Sequence, residues 1–413
     1  LGRPDQPGVR VMAVVRARGL SEAFPPEVIA EASKFGQDPG EQDLKGRRLL
    51  FDLPLFTIDG IDAKDFDDAV SLEPLTGGRV RLGVHIADVS HYVEAGTELD
   101  LEARRRATSV YLPDRVIPML PPNLSDHLCS LRPGVPRLSL SCWMDIDHNA
   151  KVISARLEET AIRSWKRFTY EEVEILLEGG EIPGLDPAVR DSIARMGSLA
   201  KKMTALRLGR GALDLSVPEF KVAVDARGTP VSVSKRPRLA SHRLIEEFMV
   251  AANEAVAREL YARGMPFVWR IHEKPDPQKL EDLGVELRGM GIKSTIGFAK
   301  DPARALQDIL RRADGHPLGE TVHILVVRSL KQAVYAARSE GHFGLASKAY
   351  CHFTSPIRRY PDLLVHRAVR GLLRGGKRAL AAEELEALSA HCSERERLAA
   401  DAERKSVDLK RAA

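Results

Sequence analysis

Five aspartates within ten residues limit how this chain can fold. They lie in the run TIDGIDAKDFDD at residues 57–68, where Asp62 stands among the four of main interest, Asp59, Asp65, Asp67 and Asp68. Like charges this close repel, so a fold that gathers them is unstable unless a cation joins them. Carboxylate oxygens are the ligands that hard divalent ions such as Mg²⁺ prefer. The run therefore predicts a metal site, unless it is an ordinary acidic loop in solvent.

The neighbours of the aspartates favour an anchored loop over a solvated one. Apolar residues lead into the run at Leu55 and Phe56 and out of it at Val70. Phe66 stands between two aspartates, where an apolar side chain can fix a loop to a core. An EF-hand calcium loop is a poor match, because that pattern needs glycine at its sixth position, where this chain has Lys64.

Composition indicates a globular chain. The 413 residues are 44% hydrophobic and 29% charged, and 58 acids stand against 62 bases for a formal net charge of +4. No apolar run approaches the roughly 20 residues of a membrane helix. The four cysteines are scattered without C-x-x-C spacing, which argues against a zinc site or disulfide framework and favours reduced thiols in the cytoplasm. We therefore expect a cytoplasmic monomer with no membrane partner.

Strand and helix signals are separated along the chain. A Pro- and Gly-rich stretch up to about residue 48 has a strand-like piece at residues 9–15. Loose alternation then predicts strands at 80–89, 138–146 and 152–157. Apolar spacing beyond about residue 170 predicts helices at 187–208, 241–263, 276–290, 302–313, 320–337, 359–374 and 382–410, with an extended segment at 213–224. We therefore expect an α+β (mixed α/β) fold with a strand-rich first half and a helix-rich second half.

Three local signals refine this outline. Residues 147–150 (Asp-His-Asn-Ala) separate two predicted strands and suggest a hairpin turn. Thr169 and Glu172 match a capping box at a helix start. The chain begins at Leu1 rather than Met and has no signal peptide, so we expect a fragment of a longer protein.

A second unusual segment, HFTSPIRRYPDL, has the residues of a phosphate-binding site. Its polar members of interest are Thr354, Ser355, Arg358 and Arg359. Pro356 suits a helix start, the two hydroxyls could cap that helix, and the two guanidinium forks match phosphate geometry. An ordinary capped helix with surface arginines has the same pattern. Joined with the aspartates, the segment completes the set needed for metal-assisted phosphodiester hydrolysis.

Aromatic residues make up only 5% of the chain, so those in polar segments are candidates for stacking on bases. Tyr111 in TSVY is one, although a half-buried strand tyrosine is the alternative. Arg270 and His272 could line a polar cleft, and for the histidine a structural role is the alternative.

Together the segments resemble the catalytic (RNB) domain of the ribonuclease II / ribonuclease R family, most closely its ribonuclease R branch. The resemblance covers residues 49–413, and its motifs stand in order: TIDGIDAKDFDD (57–68), VHIADVS (84–90), TSVY (108–111), VIPMLP (116–121), FGLA (343–346) and HFTSPIRRYPDL (352–363). It implies an RNB-type fold around an RNA channel. Residues 1–48 are similar to the end of a cold-shock (OB-type) domain with its linker, and the family's usual C-terminal S1 domain is expected to be absent.

The resemblance implies a processive 3′-to-5′ exoribonuclease that hydrolyses single-stranded RNA to nucleoside 5′-monophosphates. Its cofactor would be one or two Mg²⁺ ions, with Mn²⁺ as a possible substitute. Asp59, Asp65, Asp67 and Asp68 match the family's metal-binding acids. Asp67 is the position most closely tied to hydrolysis, Arg358 matches the arginine at the scissile phosphate, and Asp65 is expected to assist catalysis.

Other matches concern RNA binding. Tyr111 matches an aromatic that packs on the 3′-terminal nucleotide, and Glu403 matches an acid that helps to place that nucleotide. Thr354, Ser355 and Arg359 are expected to contact RNA beside Arg358. Leu215 departs from the family, because many relatives carry an aromatic there. A leucine packs on a base with weaker face complementarity, so we expect a weaker base clamp and an altered shortest product.

Two alternatives belong to other functional classes. The first is a non-catalytic RNA-binding module, which would not need all four acids and the arginine together. The second is a metal phosphatase of small phosphoesters, for which the Asp-x-Asp at residues 65–67 is a superficial match. The threonine-bearing continuation of that phosphatase pattern is missing, since Ala69 and Val70 follow.

Overall fold

The computed structural model describes residues 8–215, 217, 220–225, 229–235, 237–376 and 380–411. The strands are β1 (Arg48–Leu50), β2 (Phe56–Asp59), β3 (Asp68–Pro74), β4 (Val80–Ala87), β5 (Val110–Tyr111), β6 (Val116–Ile117), β7 (Pro136–Ile146), β8 (Val152–Arg163), β9 (Lys166–Thr169), β10 (Phe220–Val224), β11 (Pro230–Lys235), β12 (Trp269–Ile271) and β13 (Val334–Ala336).

The helices follow in the same chain order, and those from α7 onward are longer than those before it. They are α1 (Val9–Ala17), α2 (Pro26–Ala32), α3 (Glu41–Leu44), α4 (Val89–Tyr92), α5 (Glu98–Arg106), α6 (Tyr170–Leu177), α7 (Pro187–Arg210), α8 (Ala240–Ala262), α9 (Pro277–Gly289), α10 (Pro302–Ala313), α11 (Gly319–Ser329), α12 (Tyr360–Leu373) and α13 (Ala382–Arg411).

A seven-stranded sheet forms the centre of the fold, in the order β1-β8-β7-β4-β3-β2-β9. The edge pairs β1–β8 and β2–β9 are parallel, and the inner pairs are antiparallel. Asp147 closes the β7–β8 hairpin, because its Oδ1 accepts hydrogen bonds from the backbone N–H groups of Asn149 and Lys151, each at 2.9 Å. The predicted hairpin turn is confirmed.

Two apolar cores lie against the sheet. One core joins Phe56 and Val84 to the long helix α8 through Phe248, and the other contains Leu55, Ala87 and residues of α5 and α12. A third apolar cluster lies among α9, α10 and α11. Because both sheet faces are covered, the polar groups at the strand ends are the ones left to face a ligand.

Local sequence sets several helix starts. Helices α7, α9 and α10 each begin with an Asp-Pro pair, at Asp186, Asp276 and Asp301, where the carboxylate accepts a backbone N–H and proline occupies the first turn. The predicted capping box is present, since Thr169 and Glu172 exchange hydrogen bonds at the start of α6.

The fold class expected from the sequence is confirmed, but two predicted elements are wrong. Residues 9–15 form helix α1 instead of a strand, because Val11 and Val15 lie one helical turn apart and are both buried against other segments. The helix expected at 320–337 ends at Ser329, and the segment after it pairs with β12 as a strand. The assignment of residues 1–48 to a cold-shock domain stays a prediction, and residues 1–7 lie outside the described part. Among the described helices, none is long and apolar enough to cross a membrane.

Candidate active site

The loop between β2 and β3 brings the aspartates to one end of the central sheet. Strand β2 ends at Asp59 and β3 begins at Asp68, and the two strands are antiparallel neighbours. The backbone carbonyl of Asp67 accepts a hydrogen bond from the N–H of Ala87 at the end of β4, at 2.9 Å. The Asp67 residue is only 4% exposed. The acidic run is therefore built into the sheet and is not a free surface loop.

Contacts from distant segments fix this aspartate loop, residues 60–67. The Ser130 hydroxyl donates to the carbonyl of Lys64 at 2.7 Å and accepts from the N–H of Phe66 at 3.0 Å. Phe66 is buried, as an anchor should be. Arg167 holds the opposite side of the loop. Neither Ser130 nor Arg167 was predicted from the sequence. Ser130 is 64 positions from its partner Phe66 and Arg167 is 107 positions from its partner Gly60, so no local pattern indicates these contacts.

The second predicted segment meets the aspartate loop directly. The carboxylate of Asp67 accepts the backbone N–H of Ile357 at 2.9 Å, although the two residues are 290 positions apart. The guanidinium Nε of Arg358 lies 3.7 Å from Asp67 Oδ2. Arg358 also donates to the Ser355 hydroxyl at 3.0 Å, and its side chain remains 41% exposed. A partly exposed guanidinium beside a buried carboxylate can meet an incoming phosphate.

Arg359 points elsewhere, although it is the next residue. Its guanidinium donates to Asp362 at 2.7 Å, and the side chains are 18% and 0% exposed. Asp362 also accepts the backbone N–H of Ser355 at 2.8 Å. These contacts give Arg359 a structural role, and its contact with RNA stays a prediction.

The predicted cap of the following helix is wrong. Helix α12 begins at Tyr360 with Arg359 at its N-cap and Pro361 in its first turn, and no side chain caps it. Thr354 and Ser355 lie earlier, buried at 4% and 6% exposure, in a turn that precedes the helix. Asp362 accepts the N–H of Ser355 and so holds this turn in place ahead of the helix. The helix therefore begins at Tyr360 and not at Pro356, the position that suits a helix start by its residue type.

Tyr111 and Glu403 lie beside the aspartate loop. The Tyr111 hydroxyl donates to Asp65 Oδ2 at 3.1 Å, and its backbone N–H donates to Glu403 Oε1 at 2.7 Å. Burial raises the pKa of Glu403 from its ordinary value. Tyr111 is 40% exposed and can therefore meet a stacking partner, while hydrogen bonds hold its hydroxyl and its backbone N–H.

Leu215 belongs to a different neighbourhood. Its side chain packs on the apolar cluster of α9, α10 and α11, and its carbonyl accepts a hydrogen bond from Arg238 at 2.9 Å. The adjacent Asp214 pairs with Arg238 and Arg243 at 3.0 and 3.1 Å. The structure thus places Leu215 with the helices, whereas Tyr111 contacts the aspartates.

The two candidates Arg270 and His272 have structural contacts. His272 Nε2 lies 2.8 Å from the carbonyl of Lys331, and its Nδ1 accepts the N–H of Gly344 at 3.1 Å. Arg270 pairs with Glu396 on α13 at 2.7 Å. Both side chains therefore tie β12 to its neighbours, which matches the structural alternative for the histidine.

A cleft of about 680 Å³ opens beside the aspartate loop. The residues that line it include Gly60, Ile61, Tyr111 and Lys235. The rings of Tyr170 and His242 are stacked in the wall, with centroids 4.0 Å apart. This pair was not predicted from the sequence. Aromatic residues are scarce in the chain, and that scarcity is a signal that could have marked Tyr170, whereas no feature of the sequence marked His242.

The family comparison agrees with this arrangement. The RNB domain family matches residues 47–375. The chain belongs to the RNB family. The prediction of the family from its motifs is therefore confirmed, and the match covers both the aspartate loop and the Arg358 segment.

The RNB chain is similar to several known proteins. Ribonuclease R of Thermotoga maritima is 44% identical over 420 aligned residues, which cover 100% of this chain and 59% of that protein. A solved structure of Mycoplasma genitalium RNase R with ribose-methylated single-stranded RNA has a TM-score of 0.92 at 31% identity, covering 99% of this chain and 65% of the other. The chain thus spans about three fifths of these relatives.

A second solved structure indicates what the RNB fold shows by itself. Yeast Ssd1, described as a pseudonuclease, has a TM-score of 0.80 at 21% identity and covers 98% of this chain and 51% of the other. At that identity the likeness shows the fold only. Chemistry in an RNB chain must therefore be argued from its own site residues.

Burial and mutual repulsion disfavour charge on the aspartates of this RNB site. Burial raises the pKa of Asp59 well above 3.8, and the neighbouring Asp68 and Asp65 add repulsion that Arg167 partly offsets. Burial likewise raises the pKa of Asp67 well above 3.8, against the attraction of Arg358. Burial raises the pKa of Asp68 to about 6. The nearby arginines therefore do not fully offset the cost of ionising these aspartates.

The carboxylates fit a divalent cation by their chemistry. Asp59 Oδ2 is buried and lacks a hydrogen-bond partner, and a buried carboxylate oxygen without a partner is costly. A cation at this position would supply the missing partner and relieve the repulsion with Asp68. Within the described residues, no group of three or more His, Cys, Asp or Glu side chains is arranged so that it could hold a metal ion as it stands. The chemistry of the carboxylates, and not their present spacing, is what fits the ion.

The raised pKa of Asp68 predicts that this residue lowers the free energy of unfolding of the metal-free protein in a pH-dependent way. The loss of stability is absent below the ordinary pKa of 3.8 and complete above the folded-state pKa of about 6. In EDTA, Asp68→Asn should therefore raise the thermal midpoint near pH 7 but not near pH 4. The gain is at most about 3 kcal/mol in free energy of unfolding. Thermal unfolding from about pH 4 to pH 8 measures it.

Asp52→Asn is the matched control, because Asp52 is exposed just before β2. Its thermal midpoint should follow that of the wild type at every pH. A difference between Asp68→Asn and the wild type that stays constant across the pH range would contradict the assigned penalty.

Proposed function

We propose that this chain carries the catalytic domain of a processive 3′-to-5′ exoribonuclease that hydrolyses RNA to nucleoside 5′-monophosphates. The contact of Asp67 with the Ile357 N–H and with Arg358 carries the proposal, because it joins the acidic loop to the arginine segment. The named ribonuclease R relatives and the RNA complex of the Mycoplasma genitalium enzyme support the same activity.

Arg358 stabilises negative charge on the scissile phosphate. Its guanidinium is partly exposed and is aimed by two neighbours, the Ser355 hydroxyl and the Asp67 carboxylate. Donors that are fixed before the reaction stabilise a charged transition state without reorganising. Asp67 in turn is fixed by the Ile357 N–H, so the carboxylate and the guanidinium keep one relative position.

Tyr111 and Glu403 place the 3′-terminal nucleotide. The bond from the Tyr111 hydroxyl to Asp65 sets the ring beside the aspartate loop, and an exposed aromatic face stacks on any base. The cleft beside this loop, with Tyr170 and His242 in its wall, takes the adjoining part of the strand. Leu215 packs on the cluster of α9, α10 and α11, whereas Tyr111 contacts the aspartates, so the effect of Leu215 is on the length of the shortest product more than on hydrolysis itself.

Asp59, Asp65, Asp67 and Asp68 would hold one or two Mg²⁺ ions, and Mn²⁺ could replace them. When bound, such an ion acts as a Lewis acid at the phosphate and activates water for attack. The chain's own contribution is to hold the carboxylates at one end of the sheet, with Asp67 buried and Asp59, Asp65 and Asp68 half-buried. We further propose that the protein acts as a monomer in the cytoplasm.

The decisive experiment uses a 5′-end-labelled single-stranded RNA, Mg²⁺ and the full chain, with products resolved at single-nucleotide resolution. We expect stepwise shortening from the 3′ end, release of nucleoside 5′-monophosphates, and loss of both on adding EDTA. A DNA strand of the same sequence should remain intact, because contacts to 2′-hydroxyls distinguish RNA. Internal cleavage, or equal rates on RNA and DNA, would contradict the proposal.

The same assay separates the two alternatives. RNA that is bound but never shortened in Mg²⁺ would identify a non-catalytic binding module. Hydrolysis of a small chromogenic phosphate ester, with RNA untouched, would identify a phosphatase. The convergence of Asp67 and Arg358 favours the nuclease, since a binding module does not need a buried carboxylate beside its phosphate-binding arginine.

A further inference from the structure

Arg167 contacts the start of the aspartate loop from the neighbouring strand. It lies on β9, which runs parallel to β2, and the register pairs it with Thr57. Its guanidinium Nη2 donates to the carbonyl of Gly60 at 2.6 Å and to the carbonyl of Ile61 at 2.9 Å. These carbonyls belong to the two residues directly after Asp59, so Arg167 fixes the backbone that leaves the first aspartate.

The same guanidinium reaches the far end of the loop. Its central carbon lies 5.1 Å from the ring centre of Phe66, which stands between Asp65 and Asp67. A cation over an aromatic face is attractive, and the arginine adds area for packing. One side chain therefore braces both ends of the loop that carries the acids.

A brace is needed because the loop is under repulsion. Asp59 and Asp68 repel each other across the ends of β2 and β3, and Asp65 adds to the charge around Asp59. Gly60 adds no side-chain packing of its own at the bend. Without a restraint, the carboxylates would relieve their repulsion by moving apart, which would lower the affinity of the loop for an ion.

We propose that Arg167 is a positioning residue that sets the affinity of the aspartate loop for a divalent cation. It acts through the backbone of Gly60 and Ile61 and through Phe66, without touching RNA. The inference rests on the proposed function for the identity of the reaction, but cation binding can be measured without RNA. Residues that orient metal ligands from behind change metal affinity or activity by about 10- to 100-fold when they are replaced.

Two effects of Arg167 oppose each other, and geometry decides between them. Its positive charge competes with an ion for Asp59, which alone would weaken cation binding. Its two hydrogen bonds hold the loop closed, which strengthens cation binding. Charge-assisted hydrogen bonds to fixed carbonyls at 2.6 and 2.9 Å are short and strong, so the brace outweighs the competing charge.

The test titrates Mg²⁺ into the RNA-free full chain by calorimetry and compares wild type with Arg167→Gln. The dissociation constant should rise about 10- to 100-fold. In the RNA assay, the Mg²⁺ concentration for half-maximal mononucleotide release should rise by a similar factor. Turnover at saturating Mg²⁺ should stay within about threefold of wild type, because excess ion restores the loop.

Arg163→Gln is the matched control. Arg163 ends strand β8, which lies near the opposite edge of the sheet from β9, and its guanidinium lies over Phe51 at 4.8 Å, a similar cation–aromatic contact. Its Mg²⁺ constants should equal those of wild type. A Mg²⁺ constant for Arg167→Gln within about twofold of wild type would overturn the proposal, as would a loss of turnover that excess Mg²⁺ does not restore.

Arg167→Lys tests the planar guanidinium and guards against misfolding. Both hydrogen bonds come from one nitrogen of Arg167, Nη2, and an ammonium can also donate to these carbonyls, but lysine lacks the flat group that packs over Phe66 and fixes the direction of that nitrogen. If Arg167→Gln is unfolded in EDTA, this variant carries the test, and we expect a smaller but measurable loss of Mg²⁺ affinity. Affinity equal to wild type in Arg167→Lys would refute the role of the planar group. A wild type that binds Mg²⁺ but releases no mononucleotide would refute the proposed function and leave this inference standing.

Discussion

Asp67→Asn should lower the turnover of single-stranded RNA by at least about 10³-fold while RNA remains bound. The asparagine carbonyl can still accept the Ile357 N–H, so the junction between the two segments survives. The negative charge beside Arg358 is lost, and a neutral amide oxygen is a weaker ligand for a hard cation than a carboxylate. Single-turnover rates and RNA affinity, measured on the same protein, separate chemistry from binding.

Asp52→Asn serves again as the control, because it removes an exposed aspartate outside the loop. Its turnover should match that of wild type within experimental error. An Asp67→Asn protein with normal turnover would refute the assignment of Asp67. Parallel loss of RNA binding and turnover would instead place Asp67 in substrate binding.

The adjacent arginines Arg358 and Arg359 should give opposite results. Arg358→Ala should lower turnover by about 10²- to 10³-fold, because it removes a fixed donor to the phosphate. Its thermal midpoint should change less, since the side chain is 41% exposed, its nitrogen lies 3.7 Å from Asp67, and Asp67 keeps the hydrogen bond from the Ile357 N–H. Arg359→Ala should lower the free energy of unfolding by about 3–5 kcal/mol, because it leaves Asp362 buried without its cation.

Thermal or urea unfolding and RNA turnover, measured on both variants, test this contrast. Arg338→Ala is the control for removing an arginine, because that side chain is 84% exposed and its stability change should lie within about 0.5 kcal/mol. Arg358→Lys should recover part of the activity, since lysine supplies charge without a fork. Equal stability losses in Arg358→Ala and Arg359→Ala would contradict the separation of their roles.

The sequence predicted much of the secondary structure because its signals are local. Helices α7, α9 and α10 carry Asp-Pro starts, and their predicted bounds agree with the structure to within a few residues. The two wrong predictions have different causes, one a spacing that fits two structures and the other a pairing with a distant strand. The valines of α1 lie at a spacing that also fits a short strand, and the pairing of β13 with β12 depends on a partner far away in the chain.

The candidate site was predicted in its residue types and less fully in its contacts. The motifs identified the aspartates, Arg358 and Tyr111, because catalysis restricts which residues can stand there. The braces Ser130 and Arg167 were missed, since each contacts the loop from a distant segment through backbone carbonyls or N–H groups. Backbone contacts of this kind leave no pattern in the surrounding residues.

The sequence by itself determined the family, the α+β class and the acidic and basic residues that the proposed chemistry needs. The family resemblance already set Arg358 apart, but tertiary structure alone decided that the neighbouring Arg359 serves a buried ion pair. Asp362 is buried with Arg359, whereas Asp67 lies beside Arg358. The reason is physical: a buried carboxylate requires a cation or donors within contact distance, and only the fold determines which groups come that near.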